Sequence, residues 1–300
     1  MPQQLLAADA HRAELAKITA AVLVRVRRLW KALGVGDFDQ SWGTISPHVL
    51  SLLMAGQLSA AREAIAYVPA VLAEQNIPDE PSAVANPQAV VGVAGSGAPL
   101  DALMAAPVIT TRVGLANGLP MKAAQAAGGK LLDGIVQTQI VDASRAIESV
   151  ATVVRPAIHG YVRHLSLPSC DRCAVLAGKF FRWNAGFSRH LHCDCFHVAT
   201  TEQVADDLTT DPVAAIKAGQ VHGLSVADTK AIVDDGADPS QVINAKRGMS
   251  TAQVFGQRAK VTTAGVGKGQ IRLRPETIYQ LAGDDRIEAV RLLHHFGYLL

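Results

Sequence analysis

The chain has 300 residues, of which 49% are hydrophobic and 5% aromatic, and its formal net charge is +2. This length suits one large domain or two modest ones, and the apolar content is enough for a substantial core. Scarce aromatic residues and abundant alanine favour helices over a β-sandwich. No apolar run approaches the roughly 20 residues that span a bilayer, so we expect no membrane association. The N-terminus lacks the basic start and apolar run of a secretory signal, which predicts folding in a cytoplasm.

The N-terminal part of the sequence predicts packed helices. Apolar residues spaced three and four apart define one helical face: Leu15, Ile18, Val22, Val26, Leu29 and Leu33. A second helix is expected to begin at Ser46 and Pro47, a side-chain cap followed by a first-turn proline. A third helix is expected over residues 59–74.

Residues 77–99 are rich in proline and glycine and predict a loop. This loop contains GVAGSG, which resembles a phosphate loop, but most of the flanking signature that such a loop needs is missing. A long helix is then expected over residues 121–154. Its apolar face comprises Val136, Ile140, Ala143, Ile147, Val150 and Val154. Two faces of this spacing predict antiparallel helices packed as a bundle.

After residue 158 the pattern becomes irregular, and short helices return beyond residue 200. Ser225 and Asp228 form a capping-box pattern, Asp238 and Pro239 form another helix start, and a final helix is expected over residues 275–296. The fold class is therefore predicted to be mainly α. We expect three regions: a helical bundle domain (1–158), a small irregular Cys/His-rich module (159–200) and a partly basic C-terminal region of short helices (201–300).

All four cysteines of the chain fall within residues 170–195. Cys170 and Cys173 form a Cys-x2-Cys turn, which lets two thiolates face one point, and Cys193 and Cys195 return after a loop. This order is typical of a closed, structural zinc site. Such a site adds folding free energy to a segment that cannot build a core of its own.

The residues leave the ligand set open. Four cysteines satisfy zinc, and His190 or His192 can replace Cys193. Disulfides and buried thiols are the alternatives to metal binding, although a cytoplasm disfavours disulfides. A thioredoxin-like redox site is not indicated, because the sequence predicts no strand-to-helix junction around the first pair. His197 is interpreted as a loop residue.

The segment CDRCAVLAGKFFRWNAGFSRHLHCDCFHVAT resembles the C-terminal segment of the minor head proteins of tailed bacteriophages, the family typified by the F protein of phage Mu. The family pattern is Cys-x2-Cys, then Leu-x-Gly-Lys-x-Phe, then His-x2-Cys-x-Cys. The matching residues are Cys170, Cys173, Leu176, Gly178, Lys179, Phe181, His190, Cys193 and Cys195. The family often has proline after the histidine, where this chain has Leu191. The stretch FRWNAGFSRH resembles versions from phages of actinobacteria.

The resemblance implies a minor capsid protein that is part of the virion. Such a protein is assembled in the host cytoplasm, lies near the portal, and acts in head assembly or travels with the packaged DNA. The portal and other capsid proteins are then the expected partners, with DNA as a further one and no small-molecule substrate. A helical N-terminal part is typical of the family.

Residues 239–275 contain no Asp or Glu and have a local charge of +7. The cations are Lys246, Arg247, Arg258, Lys260, Lys268, Arg272 and Arg274. Such a basic segment can neutralise DNA phosphates or contact an acidic neighbour in the head. The alternative function is therefore DNA binding by a protein whose fold is stabilised by a structural zinc ion.

We expect no enzymatic activity. The less favoured alternative is a capsid maturation protease, because Ser166 and Ser169 lie near His159 and His164 in the sequence. However, neither a Gly-x-Ser-x-Gly elbow nor a His-Glu-x-x-His helix is present. A zinc ion held by four cysteines also leaves no open position for catalysis.

Overall fold

The computed structural model describes residues 5–33, 38–78, 80–165, 167–184, 195–245, 250–254, 257–262, 272–273, 275–283, 285–295 and 299. The chain is mainly α-helical, as the sequence predicts. It divides into two compact units. The helical unit comprises residues 2–164 and 180–209, and the C-terminal unit comprises residues 165–179 and 210–300.

The helices of the described ranges are α1 (Leu6–Lys31), α2 (Phe38–Glu74), α3 (Ala105–Ala116), α4 (Met121–Val153), α5 (Asp171–Ala177), α6 (Ala205–Leu208), α7 (Pro212–Lys217), α8 (Val226–Val233), α9 (Pro239–Asn244), α10 (Pro275–Ala282) and α11 (Arg286–His295). The strands are β1 (Gly160–His164), β2 (Ser169–Cys170), β3 (Phe180–Arg182), β4 (Phe196–Thr200), β5 (Val221–His222), β6 (Ser250–Val254), β7 (Gln257–Thr262) and β8 (Arg272–Leu273).

The four long helices α1 to α4 form the predicted N-terminal bundle. α1, α2 and α4 pack against one another, and α3 packs on α4. Their core includes Val22, Leu53 and Ile140. The predicted face of α4 is wrong at its C-terminal end, where Val150 is 44% exposed and Ala151 is buried. At about 100° per residue, position 151 and not 150 stays in line with the buried positions before it.

α2 is one continuous helix, whereas the sequence indicates two helices that begin near Ser46 and Ser59. Pro47 and Pro69 both lie inside it. A proline removes one backbone donor and crowds the carbonyl four residues earlier. At Pro47 that earlier residue is Gly43, which is exposed, so its carbonyl can hydrogen-bond to water. Burial of the apolar face of α2 outweighs the lost hydrogen bond.

The region predicted to be irregular contributes an antiparallel sheet to the helical unit, with the strand order β3-β1-β4. The sequence signal for β4 is weak because all five of its residues are buried, which removes the alternation of polar and apolar residues. Gly160 permits the close approach of β3 to β1, since a Cβ there would lie 2.0 Å from the Phe181 carbonyl oxygen.

The loop over residues 77–99 is tied to the bundle. The N–H of Gly92 donates to the Gln57 side chain at 2.9 Å, and the N–H of Gly95 donates to Gln139 Oε1 at 2.8 Å. A Cβ at Gly95 would lie 2.2 Å from an Asp142 carboxylate oxygen. Two of the amides that a phosphate loop would offer to a ligand are therefore bound to glutamine side chains.

Short helices dominate the C-terminal unit, and they enclose a core that includes Ile232, Val242, Ile278 and Leu293. The predicted starts of α8 and α9 are confirmed, with a complete capping box at α8 and an aspartate cap at α9. The prediction of a single final helix is wrong. The chain turns at Gly283, which has a φ of 57°, and so divides this segment into α10 and α11.

The C-terminal unit also contains β-structure. β2 and β5 form a parallel pair, and β6, β7 and β8 form an antiparallel sheet in that order. In the described part of the chain, no helix combines the length and the apolar character needed to cross a membrane.

Candidate functional site

The first cysteine pair lies in the C-terminal unit, where β2 ends at Cys170 and α5 begins at Asp171. The Sγ of Cys170 accepts a hydrogen bond from the backbone N–H of Cys173 at 3.4 Å, so Cys170 caps the helix. Cys173 is buried and Cys170 is partly exposed. Backbone N–H groups directed at sulfur favour a thiolate, so this pair suits either a metal ion or dithiol chemistry.

The pair therefore occupies a strand-to-helix junction, contrary to the prediction from the sequence. The prediction failed because β2 has only two residues and forms through pairing with β5, about fifty positions further along the chain. A strand of this length leaves no readable periodicity.

Cys195 lies just before β4 in the helical unit and is 1% exposed. Arg163 Nε donates to its Sγ at 2.7 Å, and a terminal nitrogen of Arg145 donates to the same sulfur at 3.7 Å. Arg145 also donates through Nε to the Cys195 carbonyl oxygen at 2.5 Å and pairs with Asp142 at 2.8 Å. Both arginines are buried. Two guanidinium groups therefore lie against one buried sulfur, a setting in which a negative charge would be stabilised.

The other two predicted ligands, His190 and Cys193, lie outside the described residues. The three cysteines that are described carry thiols and not disulfides. Among the described residues, no group of three or more His, Cys, Asp and Glu side chains is placed to hold a metal ion. The zinc site with its set of Cys170, Cys173, Cys193, Cys195 and His190 therefore stays a prediction.

The middle of the cysteine motif coincides with the end of α5 and the start of β3. Gly178 ends the helix, and a Cβ there would lie 3.1 Å from the Thr210 carbonyl oxygen. In the helical unit, the ring of Phe181 stacks on Tyr161 with the centroids 5.5 Å apart. These two positions of the motif therefore have a packing role in the unit to which each belongs.

Of the seven predicted basic contacts, four lie outside the described residues: Lys246, Arg247, Lys268 and Arg274. The other three lie in the sheet β6-β7-β8, and the backbone register relates them. Arg258 and Lys260 are two residues apart on β7, and Arg272 pairs with Thr262 on the same strand. Because alternate residues of a strand share a face, these three basic positions fall on one face of the sheet.

A buried polar network that was not predicted from the sequence lies in the helical unit. Glu148 Oε1 accepts from Ser144 Oγ at 2.6 Å and lies 3.1 Å from His11 Nε2, and Glu148 Oε2 accepts from the His197 N–H at 2.8 Å. The other ring nitrogen of His11 lies 3.4 Å from a Glu63 oxygen. This network joins α1, α2, α4 and β4.

Aromatic rings enclose the network. His11 stacks on Tyr67 at 4.0 Å and His197 stacks on Tyr161 at 4.0 Å. Burial, followed by the charges of Glu148 and Glu74, raises the pKa of Tyr67, whose hydroxyl donates to the His197 carbonyl oxygen at 3.0 Å. His197 lies on β4 and not in a loop, so that interpretation is wrong.

The network contains a serine, a histidine and a glutamate in contact, but the direction of its hydrogen bonds indicates a structural role. The Ser144 hydroxyl donates to Glu148, and Ser144, His11 and Glu148 are each at most 1% exposed. A nucleophile needs access to substrate and a base that accepts its proton. This arrangement instead fixes the position of α1 on α4.

One sequence signal could have revealed the network. His11 lies four residues before Leu15, on the continuation of the apolar face of α1, and Ser144 and Glu148 continue the i, i+4 row that begins at Ile140 on α4. A polar residue within a core-facing row needs a buried partner.

Comparison with known proteins adds no relative, since no family model, curated protein or solved structure was found to match this chain.

Proposed function

We propose that the chain is a minor structural protein of a bacteriophage head, of the type represented by the F protein of phage Mu. It acts near the portal, in head assembly or genome delivery. The cysteine motif of residues 170–195 carries this proposal, because its three parts follow one another in the family's order and spacing. The helical N-terminal bundle agrees with the family but does not distinguish it.

The local structure of the motif supports the proposal. Cys170 caps α5, Gly178 ends it, and Phe181 packs on Tyr161 in the helical unit. These contacts give the motif a role in folding, which is consistent with a structural protein.

Zinc is part of the proposal as a structural ion. Cys170 and Cys173 would supply two thiolates, and the resemblance implies Cys193, Cys195 or His190 as the remaining ligands. A structural zinc ion contributes folding free energy and takes part in no reaction step.

The decisive experiment asks whether the protein is part of the particle. Virions of a phage that encodes this chain are purified on a density gradient, and the chain is quantified against the portal protein by mass spectrometry. We expect a constant, low ratio. Deletion of the gene should lower the yield of infectious particles, and a Cys170→Ser copy should restore it less well than the matched Ser169→Ala copy. Purified virions that lack the chain would contradict the proposal.

Contact with DNA is a second candidate function, which the positions of the basic residues on the sheet β6-β7-β8 favour. Each phosphate contact contributes about 0.9 to the slope of log affinity against log salt concentration. The triple variant Arg258→Gln/Lys260→Gln/Arg272→Gln should therefore reduce that slope by roughly 3. The matched control neutralises three exposed cations of α1, Arg25, Arg28 and Lys31. Equal loss in both variants, or no DNA retention at low salt, would exclude this function.

A further inference from the structure

A groove of about 600 Å³ opens between α1 and α2 in the helical unit. The two helices run antiparallel. The rings of Trp30 and Trp42 lie 5.4 Å apart, whereas a Cβ at Gly56, further along α2, would lie 3.0 Å from the earlier Val22 of α1. Each helix lines the groove with residues at relative positions 0, +3 and +4, which share one helix face. These residues are Arg25, Arg28 and Leu29 on α1 and His48, Ser51 and Leu52 on α2.

The groove is basic. Arg25 and Arg28 are exposed, and within the described part of the chain neither forms an ion pair with a carboxylate. Arg27, the cation between them, is by contrast paired with a carboxylate of α4 at 2.9 Å. No Asp or Glu occurs in residues 15–36 or 40–62, so the stretches of α1 and α2 that form the groove supply no carboxylate of their own. The positive charge of the groove is therefore available to a ligand.

The helix dipole explains only part of this charge. Arg28 lies in the last turn of α1, where a cation stabilises the helix. Arg25 lies outside that turn, and His48 lies in the interior of α2, so neither gains from the dipole of its helix. An imidazole has an N–H donor in either charge state, so both walls of the groove offer donors to an anionic ligand.

The apolar part of the groove distinguishes between classes of anionic ligand. Leu29 and Leu52 are partly buried and pack on the core of the bundle. A phosphate backbone gains nothing from such a floor, and the described lining contains no Phe, Tyr or Trp on which a base could stack. An amphipathic helix uses both parts, because its apolar side chains bury against the leucines while its carboxylates accept charge-assisted hydrogen bonds from the arginines.

We propose that the groove binds an acidic amphipathic helix of another protein. Apolar side chains of that helix lie on Leu29 and Leu52, and its carboxylates bind Arg25 and Arg28 on one wall and His48 on the other. This contact uses no residue of the cysteine motif and does not depend on the proposed function in a phage head.

The test measures binding of a synthetic peptide to the full-length protein by fluorescence anisotropy at about 50 mM NaCl. The labelled peptide has about 18 residues, with leucines three and four apart on one face, glutamates beside them and alanine elsewhere. We expect saturable binding that weakens about tenfold in Arg25→Gln/Arg28→Gln, because two charge-assisted contacts are lost. The control Arg12→Gln/Arg62→Gln removes two exposed arginines of the same helices outside the groove and should bind like the wild type.

Two further peptides test the apolar and the charged contacts separately. Serine in place of leucine should weaken binding about tenfold, since the contact with Leu29 and Leu52 is lost. Lysine in place of glutamate should abolish binding to the wild type but restore it to the charge-reversed variant Arg25→Glu/Arg28→Glu. The same reversal at the two control positions should leave the preference for the acidic peptide unchanged. A misfolded variant does not exchange one preference for the other.

Several outcomes would overturn the proposal. One is an acidic peptide that does not bind the wild type, or that binds no better than the lysine peptide. Another is equal loss in the groove variant and its control, because net charge alone would then attract the peptide. Duplex DNA that binds more tightly than the acidic peptide, and that loses affinity only in the groove variant, would make the groove a nucleic-acid contact. Self-association in sedimentation equilibrium that only the groove variant abolishes would make a second copy of the chain the ligand.

Discussion

Glu148 is the residue that most directly couples α1 to α4 and β4, because its two oxygens contact Ser144, His11 and the backbone of His197. Burial alone raises the pKa of this carboxyl group. The hydrogen bond and charge of His11, the charge of His197 and the Ser144 hydroxyl outweigh burial and lower the pKa to about 2. The ionised carboxylate therefore stabilises the fold above the ordinary pKa of about 4.5, and this stability is lost as the pH falls toward 2.

Glu148→Gln should lower the free energy of unfolding by about 3 kcal/mol at pH 7, from the pKa difference and the loss of a buried charge partner. The deficit should shrink below pH 4, where the wild type loses the same interaction. Urea unfolding followed by tryptophan fluorescence measures this difference in the free energy of unfolding. All three tryptophans (Trp30, Trp42 and Trp183) belong to the helical unit and therefore report on it. Glu63→Gln is the control and should cost under about 1 kcal/mol, since that side chain is 28% exposed. A deficit that is independent of pH would contradict the role of the charge.

Cys195 gives a second prediction at this scale, because its sulfur lies against Arg163 and Arg145. If the thiolate balances buried positive charge, an acidic replacement should be better tolerated than a neutral one of the same shape. We expect Cys195→Asp to unfold at a higher urea concentration than Cys195→Asn, by about 2 kcal/mol at pH 7. Equal stability of this matched pair would mean that the sulfur acts through packing alone.

Two glycines of the helical unit should respond to alanine with opposite signs. At Gly160 a Cβ would meet the Phe181 carbonyl oxygen and force β1 from β3, which should cost about 3 kcal/mol. At Gly43, in α2, a Cβ would meet nothing within 4 Å, and alanine should stabilise the helix by up to about 1 kcal/mol. Thermal unfolding followed by circular dichroism compares the two variants. Loss of stability at both positions would contradict the packing assigned to Gly160.

The elements that the sequence predicted well are those in which one signal runs for many residues. The face from Leu15 to Leu33 and the long helix α4 both extend over several turns, so a local exception does not hide the period. Prediction failed where long-range contacts decide the outcome: Pro47 is tolerated because α2 buries an apolar face in the bundle, and β2 exists only through pairing with β5. The His11 network was missed for the same reason, since its partners come from four separate elements.

At the scale of the whole molecule, the metal content tests the predicted zinc site, including its part in residues 185–194, which lie outside the described residues. We expect about one zinc ion per chain in protein purified without chelator, because the spacing of the four cysteines satisfies a closed site. Elemental mass spectrometry of the wild type beside Cys170→Ser/Cys195→Ser measures this, and the double variant should lose the metal.

Removal of the zinc should also lower the unfolding temperature, because binding free energy in such a site is folding free energy. Val226→Ser is a suitable control, since it changes an exposed position far in sequence from every cysteine. Four titratable thiols and no metal in the wild type would exclude the structural ion. The Cys170–Cys173 pair at the strand-to-helix junction would then be tested for reversible disulfide formation with a dithiol reductant, because that is the other chemistry its position permits.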